Sequence, residues 1–501
     1  MVYKHSHRPA MQSRSHHGCT RCKQRRQKCD EKRPSCSRCV NAGTSCLYHI
    51  MLKWDGRVPR MEKASSRQNR KTAKPFKRTG ECRQDMSVQL LGQAQRSIVG
   101  DTLDILELDL FESLSYRDKL LINHFITKLS MIASHTSVRE QACQTILPMA
   151  LEIPSLMYAT LAFSALHLSE LADPQVLTLI SDDIIRDILA SSIAHLREGL
   201  EMDGTKSRQP LLLTVKTLCL FEIYSGKYNS SWRTHFKGAR ALLESMRPEV
   251  IQYSIEPGAW LIARWYTSVE GLSALTNAET QNEEQHAFQP INDSITERGS
   301  GFDIYAGYSS DLHLVFRGIG NLMQKYPYCA GHVIQDEMSS ELNRTYLEVH
   351  GLEEMVLTMI HRDREEGLHM PDERPLSLEE IRMFSACNTA YQYSALLYIR
   401  RRLFCIDSES DQVQSCVRAI LDAVCDMLPV VVLSPWILLT TPLFTAGCEA
   451  KGLDRERVRS LLFDLYMTLR IPNILRAIGI LESYWEQPDD NYTELAGFLP
   501  F

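Results

Sequence analysis

Six cysteines between residues 19 and 46 repeat one spacing, C-x2-C-x6-C. They are Cys19, Cys22 and Cys29, then Cys36, Cys39 and Cys46. A C-x2-C pair opening a helix brings two thiolates to one metal ion, and a cysteine seven positions on can fold back to the same ion. Each half then supplies three thiolates, one short of the tetrahedral set that structural zinc prefers. Two zinc ions need eight ligand positions between them, and six sulfurs fill these only if two of them bridge. The symmetry of the halves makes Cys19 and Cys36 the natural bridges. A segment of 28 residues cannot build an apolar core, so metal ligation must supply its folding free energy.

Three other readings compete. A disulfide framework fits the even count, but the leader MVYKHSHRPAMQSRSHHG has no apolar stretch of the secretory kind. Two separate four-ligand sites would draw on His16, His17 or His49, whose spacing matches neither half. A metal store would pack cysteines more densely and without a two-fold repeat. The binuclear cluster accounts for most of the pattern. The other nine of the fifteen cysteines are scattered, and reduced thiols are the expected state.

Between Cys22 and Cys29 the chain reads Lys23-Gln24-Arg25-Arg26-Gln27-Lys28, preceded by Arg21. A helix with no apolar residue is not a core element. It is either a solvated basic surface or a recognition helix whose guanidinium groups enter a major groove, where they meet guanine O6 and N7 bidentately. Metal ligation would rigidify a helix too short to form alone. The corresponding stretch of the second half, Val40 to Ser45, carries no charge, which suits a supporting half that touches phosphate.

Residues 18–48, GCTRCKQRRQKCDEKRPSCSRCVNAGTSCLY, resemble the fungal six-cysteine binuclear zinc cluster of Gal4-type transcription factors. The spacing fits without adjustment, and Pro34 stands where that family commonly has proline. The resemblance implies two zinc ions, one held by Cys19, Cys22, Cys29 and Cys36 and the other by Cys36, Cys39, Cys46 and Cys19. It places the principal base contact on Arg26, with Arg25 beside it, and phosphate contacts on Lys23 and Lys28. It further implies a nuclear, sequence-specific regulator of RNA polymerase II genes that binds CGG-like triplets in double-stranded DNA. Many members bind paired triplets as a homodimer, although no coiled-coil register follows the cluster here.

These residues belong to a chain of 501 residues, too long for one ordinary core. Residues 1–80 hold 21 Lys and Arg against 4 Asp and Glu, whereas the remainder carries 35 against 57. A basic arm on an acidic globule suits a polyanionic partner for the arm alone. Four segments follow: a leader over 1–18, the cluster over 19–46, a polar basic linker over 47–100 and a large domain over 101–501. In the linker, residues 67–78 hold six cations and no acid, which reads as a nuclear-import signal or a phosphate-contacting arm.

Beyond residue 100 the apolar residues recur at helical spacing. Examples are Leu121, Phe125, Leu129 and Ile132; Ile185, Leu189, Ile193, Leu196 and Leu200; and Trp232, Phe236, Ala239, Leu243 and Met246. The fold class is thus a small zinc-stabilised α cluster module followed by a large all-α regulatory domain. Three phrases, LAFSALHL from Leu161, WRTHFKGARALL from Trp232 and PLFTAGCEA from Pro442, resemble the fungal-specific regulatory domain, particularly that of sterol-uptake-control-like regulators. That resemblance implies a helical body that senses a signal, sometimes a small hydrophobic ligand. The charge-free stretch 427–448 is interrupted by three prolines, which excludes a membrane span and suggests the wall of a buried cavity. His167 and His235 read as satisfied histidines rather than ligands.

The C-terminal stretch Glu482 to Phe501 holds five acids, no base, and Tyr484, Trp485, Tyr492 and Phe498. It reads either as an activation segment that recruits the transcription machinery or as a terminal helix docked by Trp485. Gly318-Ile319-Gly320 is only a fragment of a phosphate-binding loop, and no catalytic motif is present, so no enzymatic activity is expected. The alternatives are a sterol- or lipid-responsive regulator and, from another class, an RNA-binding or scaffold protein that uses the basic arm.

Overall fold

Helix starts in this chain are set by a few side chains. Ser115 accepts the backbone N–H of Asp118, Ser410 accepts that of Val413, and Ser377 forms a reciprocal capping box with Glu380. Pro154 and Pro472 occupy first-turn positions, where the missing N–H costs nothing. The structure, a computed structural model, describes residues 21, 22, 25, 27, 29, 30, 32, 35–42, 44, 114–171, 174–201, 208–227, 231–245, 258–276, 301–325, 340–369, 376–427, 433–487 and 498–500. It divides into two units, Met1–Gly80 and Glu81–Phe501.

The first unit contains the short helix α1 (Ser37–Asn41). The second runs through α2 (Tyr116–Thr127), α3 (Thr136–Glu152), α4 (Pro154–Ser169), α5 (Asp182–Glu201), α6 (Gln209–Ser225), α7 (Ser231–Glu244) and α8 (Ala259–Ala274). A hairpin, β1 (Phe302–Asp303) and β2 (Tyr308–Ser309), pairs antiparallel with Phe302 opposite Ser309. It is followed by α9 (Leu312–Lys325), α10 (Ser340–Glu365), α11 (Leu378–Tyr398), α12 (Asp411–Cys425), α13 (Thr440–Glu449), α14 (Leu453–Leu469) and α15 (Pro472–Glu486). Helix α4 packs against α2, α3, α5 and α6, while α11 packs against α10, α12 and α13. Helix α4 is apolar on nearly every face, as buried helices are, and α11 is largely buried from Met383 onward. The second unit is therefore helical as expected, with the two-stranded hairpin as an addition.

That hairpin is far too short to be stable alone. Gly307 makes its turn at φ +81°, and a β-carbon there would lie 2.5 Å from Leu438 Cδ1. Asp363 of α10 fastens it from outside: Oδ2 accepts Asn388 Nδ2 at 2.7 Å, Gln392 Nε2 at 2.7 Å and Ser309 Oγ at 3.2 Å. Arg362 bridges Asp311 and Asp363 at 2.6 and 2.7 Å; burial works against its charge, but the two carboxylates outweigh it and raise the guanidinium pKa further. Tyr308, Phe316, Phe384 and Trp265 are among the largest fully buried side chains.

The expected apolar stripes locate the helices but not always the centres of their buried faces. On α5 the buried line is Ile185, Ile188, Ser192 and Leu196, because Ser192 Oγ donates to the Ser155 carbonyl at 2.8 Å and sits in the seam. Gly320 lies within α9, where a β-carbon would come 2.6 Å from the Ala274 carbonyl oxygen. It allows α8 and α9 to approach closely, so the GIG triplet serves packing. His167 is buried: its Nε2 donates to the Leu469 carbonyl at 3.0 Å, and its Nδ1 accepts from His124 Nε2 at 2.9 Å. His235 is buried too, and burial pushes its pKa down to about 4.

The C-terminal segment is docked. Trp485 Nε1 donates to the Gly447 carbonyl at 2.8 Å, the Phe498 ring packs tilted against Phe444 with centroids 5.0 Å apart, and Thr441 Oγ1 donates to the Pro500 carbonyl. Of the two readings of this segment, the structure favours the docked one. Cys405 is disulfide-bonded, contrary to the expectation of uniformly reduced thiols. Among the described residues no helix is long and apolar enough to cross a membrane. The leader, the linker with its basic run at 67–78, and Met246 lie outside the described residues.

Helices α2, α3, α4, α6, α8, α11 and α13, together with the hairpin turn, line a cavity of about 140 Å³. Ile437, Leu438 and Thr441 line part of it, so the proline-interrupted stretch does contribute one wall.

Candidate functional site

In the first unit the cysteine spacing becomes geometry. Arg21 and Cys22 are helical, and the Arg25 N–H donates to the Arg21 carbonyl at 3.1 Å, one helical turn. The Gln27 N–H donates to the Cys22 carbonyl at 2.9 Å, a wider closure that turns the chain toward Cys29. In the second half Cys36 caps α1, and the N–H groups of Cys39 and Val40 donate to its carbonyl at 3.0 and 3.1 Å. The N–H groups of Ala42 and Thr44 both donate to the Cys39 carbonyl at 3.2 Å and end that turn.

These two turns bury Cys22, Cys29, Cys36 and Cys39, each no more than 3% exposed, in one cluster. The sulfurs of Cys22, Cys29 and Cys36 all lie within 4.8 Å of one another. The Cys22 and Cys36 sulfurs are 3.8 Å apart. Two thiolates at about 2.3 Å from one zinc, subtending the tetrahedral angle, stand about 3.8 Å apart, whereas a disulfide needs about 2.05 Å. The soft, buried donor set thus fits zinc in both kind and spacing. This trio is drawn from the set expected on a single ion, with Cys36 as the member from the second half. Cys19 and Cys46 lie outside the described residues.

Two residues that the spacing does not single out hold the halves together. Asp30, next to Cys29, accepts the Ser37 N–H on both carboxylate oxygens at 3.1 and 3.2 Å. Hydrogen bonding from Ser37 holds its carboxyl below the usual range, against an opposing effect of burial. Arg21 Nη1 donates to Cys39 Sγ at 3.9 Å, placing a fixed cation against a sulfur of the other half. Only their position beside metal-spaced cysteines could have signalled them. Of the expected DNA-contacting residues, Arg25 is exposed; Lys23, Arg26 and Lys28 lie outside the described residues.

Comparison with known proteins agrees with both units. The Fungal Zn(2)-Cys(6) binuclear cluster domain matches residues 17–55, and the Fungal specific transcription factor domain matches residues 119–495. The thiamine biosynthesis regulatory protein of Saccharomyces cerevisiae is 41% identical over 46 residues, which is 9% of this chain and 10% of that protein. No solved structure matches the chain. The cluster domain binds two zinc ions through six cysteines. The chain therefore belongs to the fungal specific transcription factor domain family, in its binuclear zinc cluster class, and is a zinc-dependent DNA-binding transcription regulator.

Proposed function

We propose that this chain is a nuclear, pathway-specific regulator of RNA polymerase II genes, without catalytic activity of its own, that reads CGG-like triplets. Residues 19–46 form the DNA-binding module, 1–18 its leader, 47–100 a basic linker and 101–501 the regulatory body. Cys19, Cys22, Cys29 and Cys36 hold one zinc; Cys36, Cys39, Cys46 and Cys19 hold the other. Bound zinc supplies rigidity and takes no part in a reaction. Arg26 is the principal base-reading residue, with Arg25 beside it, and Lys23 and Lys28 contact phosphate. The observation that carries this reading is the buried convergence of the Cys22, Cys29 and Cys36 sulfurs in the turns that leave Arg25 exposed.

A homodimer on paired triplets is the arrangement the cluster class suggests, and recruitment of the transcription machinery completes the output. The relative's role in thiamine biosynthesis is consistent with a metabolic pathway, although the likeness is confined to 46 residues. For the helical body we favour control by a small hydrophobic ligand. A cavity of about 140 Å³ is close to the ~150 Å³ that accepts one benzene, which disfavours a four-ring sterol.

The test is binding of the full chain to duplexes with matched and mismatched triplets at several salt concentrations. Arg26→Ala should cost ~1–3 kcal/mol of discrimination at guanine, whereas Lys23→Ala should weaken all sequences alike and lower the salt slope by about one. Unchanged relative affinities in Arg26→Ala would remove it as the reading residue. A wild-type chain with little sequence preference and a wholly electrostatic salt slope would point to an RNA-binding or scaffold role instead.

A further inference from the structure

Helix α6 carries the run LLLTVKTLCLF, in which a single cation stands among apolar residues on every side. Lys216 is only 5% exposed, and it lines the 140 Å³ cavity. It makes no hydrogen bond or ion pair among the described residues. Burial pushes its pKa down to about 8, so the amine still carries its proton at neutral pH. An ammonium group withdrawn from water without a counter-ion costs several kcal/mol. Its electrostatic neighbour Cys219 does not relieve that cost, because burial drives the Cys219 pKa far up and keeps it a neutral thiol.

The polar groups around this end of the cavity are unevenly committed. Thr217 donates to the Leu213 carbonyl, Ser130 to that of Ile126 and Tyr391 to that of Leu438. The acid of the neighbouring hairpin, Asp303, is paired with Arg264 at 3.1 Å. Tyr224 and Tyr305 also line the cavity, and neither phenol has a hydrogen-bond partner among the described residues. Tyr224 stands two turns beyond Lys216 on the same face of α6, and Tyr305 comes from the hairpin turn. The apolar part of the lining includes Phe125, Phe163, Leu220 and Leu272.

We propose that this cavity is a binding site for a small apolar carboxylate of about one ring in size, whose anionic head pairs with Lys216 and accepts from Tyr224 and Tyr305. The inference rests on the reading of the helical body as ligand-responsive and names the chemistry of that ligand. A cation and two O–H donors set among aromatic and aliphatic walls match a monocyclic aromatic acid in both polarity and volume.

The experiment uses the full-length zinc-loaded chain, with benzoate as the probe and toluene and benzylamine as its neutral and cationic counterparts. Binding is read by calorimetry and by the shift in melting temperature of the helical unit. Benzoate should bind about tenfold or more tightly than toluene, and benzylamine should not bind. Lys216→Met should fold as well as the parent or better, since removing an unpaired buried charge is not destabilising. It should lose the benzoate preference while keeping toluene. Tyr305→Phe should weaken benzoate several-fold and leave toluene unchanged, a control should Lys216→Met fail to fold. Equal binding of benzoate and toluene, or undiminished benzoate binding in a folded Lys216→Met chain, overturns the carboxylate assignment but leaves an apolar ligand. Failure of all three probes to bind overturns both.

Discussion

Cys36 and Leu396 are both at least 99% buried, yet what encloses them differs in kind. Around Cys36 are three other cysteines and a guanidinium; around Leu396 is a helix bundle whose interior includes Trp265, Phe316 and Phe384. In the first unit the sulfurs are the core, and no apolar mass stands behind them among the described residues. In the second, burial of apolar area carries the fold and polar groups such as Asp363 specify its joints. A unit held by a few coordinate bonds should fail all at once when those bonds are lost. A bundle held by many dispersed contacts should fail by increments.

The largest effect that could break this contrast concerns metal. Cys22→Ala, or a strong chelator, should release zinc and abolish specific DNA binding while the melting of the helical unit stays unchanged. Zinc stoichiometry together with calorimetry checks this, and persistent specific binding without metal would sink the account of the first unit. Next comes the converse. Trp265→Ala should cost the helical unit ~3–5 kcal/mol in denaturant titrations, with zinc content unaltered.

The smallest effect sharpens the comparison through pH. Burial, with His167 adding to it, pushes the His124 pKa from 6.5 down to about 3, and burial lowers that of His167 as well. Above pH ~6.5 both folded and unfolded rings are neutral, and this stabilisation is fully present. Below it the unfolded chain takes up protons that the folded chain refuses, so stability falls as pH falls. For His124 the loss between pH 7.5 and 5 is about 2 kcal/mol. Urea titrations at the two pH values, monitored on the helical unit, measure it; a flat profile would show that the pair titrates freely. Zinc release from protonated thiolates should appear as a separate transition, absent from the chelated chain.

The legible parts of this molecule are those where one residue type at fixed intervals does one job. Cysteine spacing is of that kind, and so is the amphipathic stripe of α7, where Trp232, Ala239 and Leu243 are buried as read. Periodicity is blind on α4 and α6, which are buried on all sides and have no polar face to mark their direction. It misplaced the centre of α5 because a hydroxyl satisfied by a distant carbonyl can occupy a core position. Lys216 was illegible for the opposite reason. A single lysine in an apolar run looks like a break in the pattern until packing shows that it is buried against a cavity. Within the cluster, Arg21 and Asp30 act across a fold that spacing alone does not draw.

The carbonyl of Leu469 closes α14 by accepting from a ring 302 positions earlier in the chain, and Tyr466 of the same turn donates to Glu170 at 3.3 Å. Opposite ends of the helical unit thus finish each other's hydrogen bonding. Shortening the chain from its C-terminal side past Leu469 would strip a partner from the α2–α4 region, leaving the buried His167 ring with nothing to donate to. Loss of regulation in a nested deletion series would then report damage to packing around α2–α4, and the removed stretch could be mistaken for a separable effector.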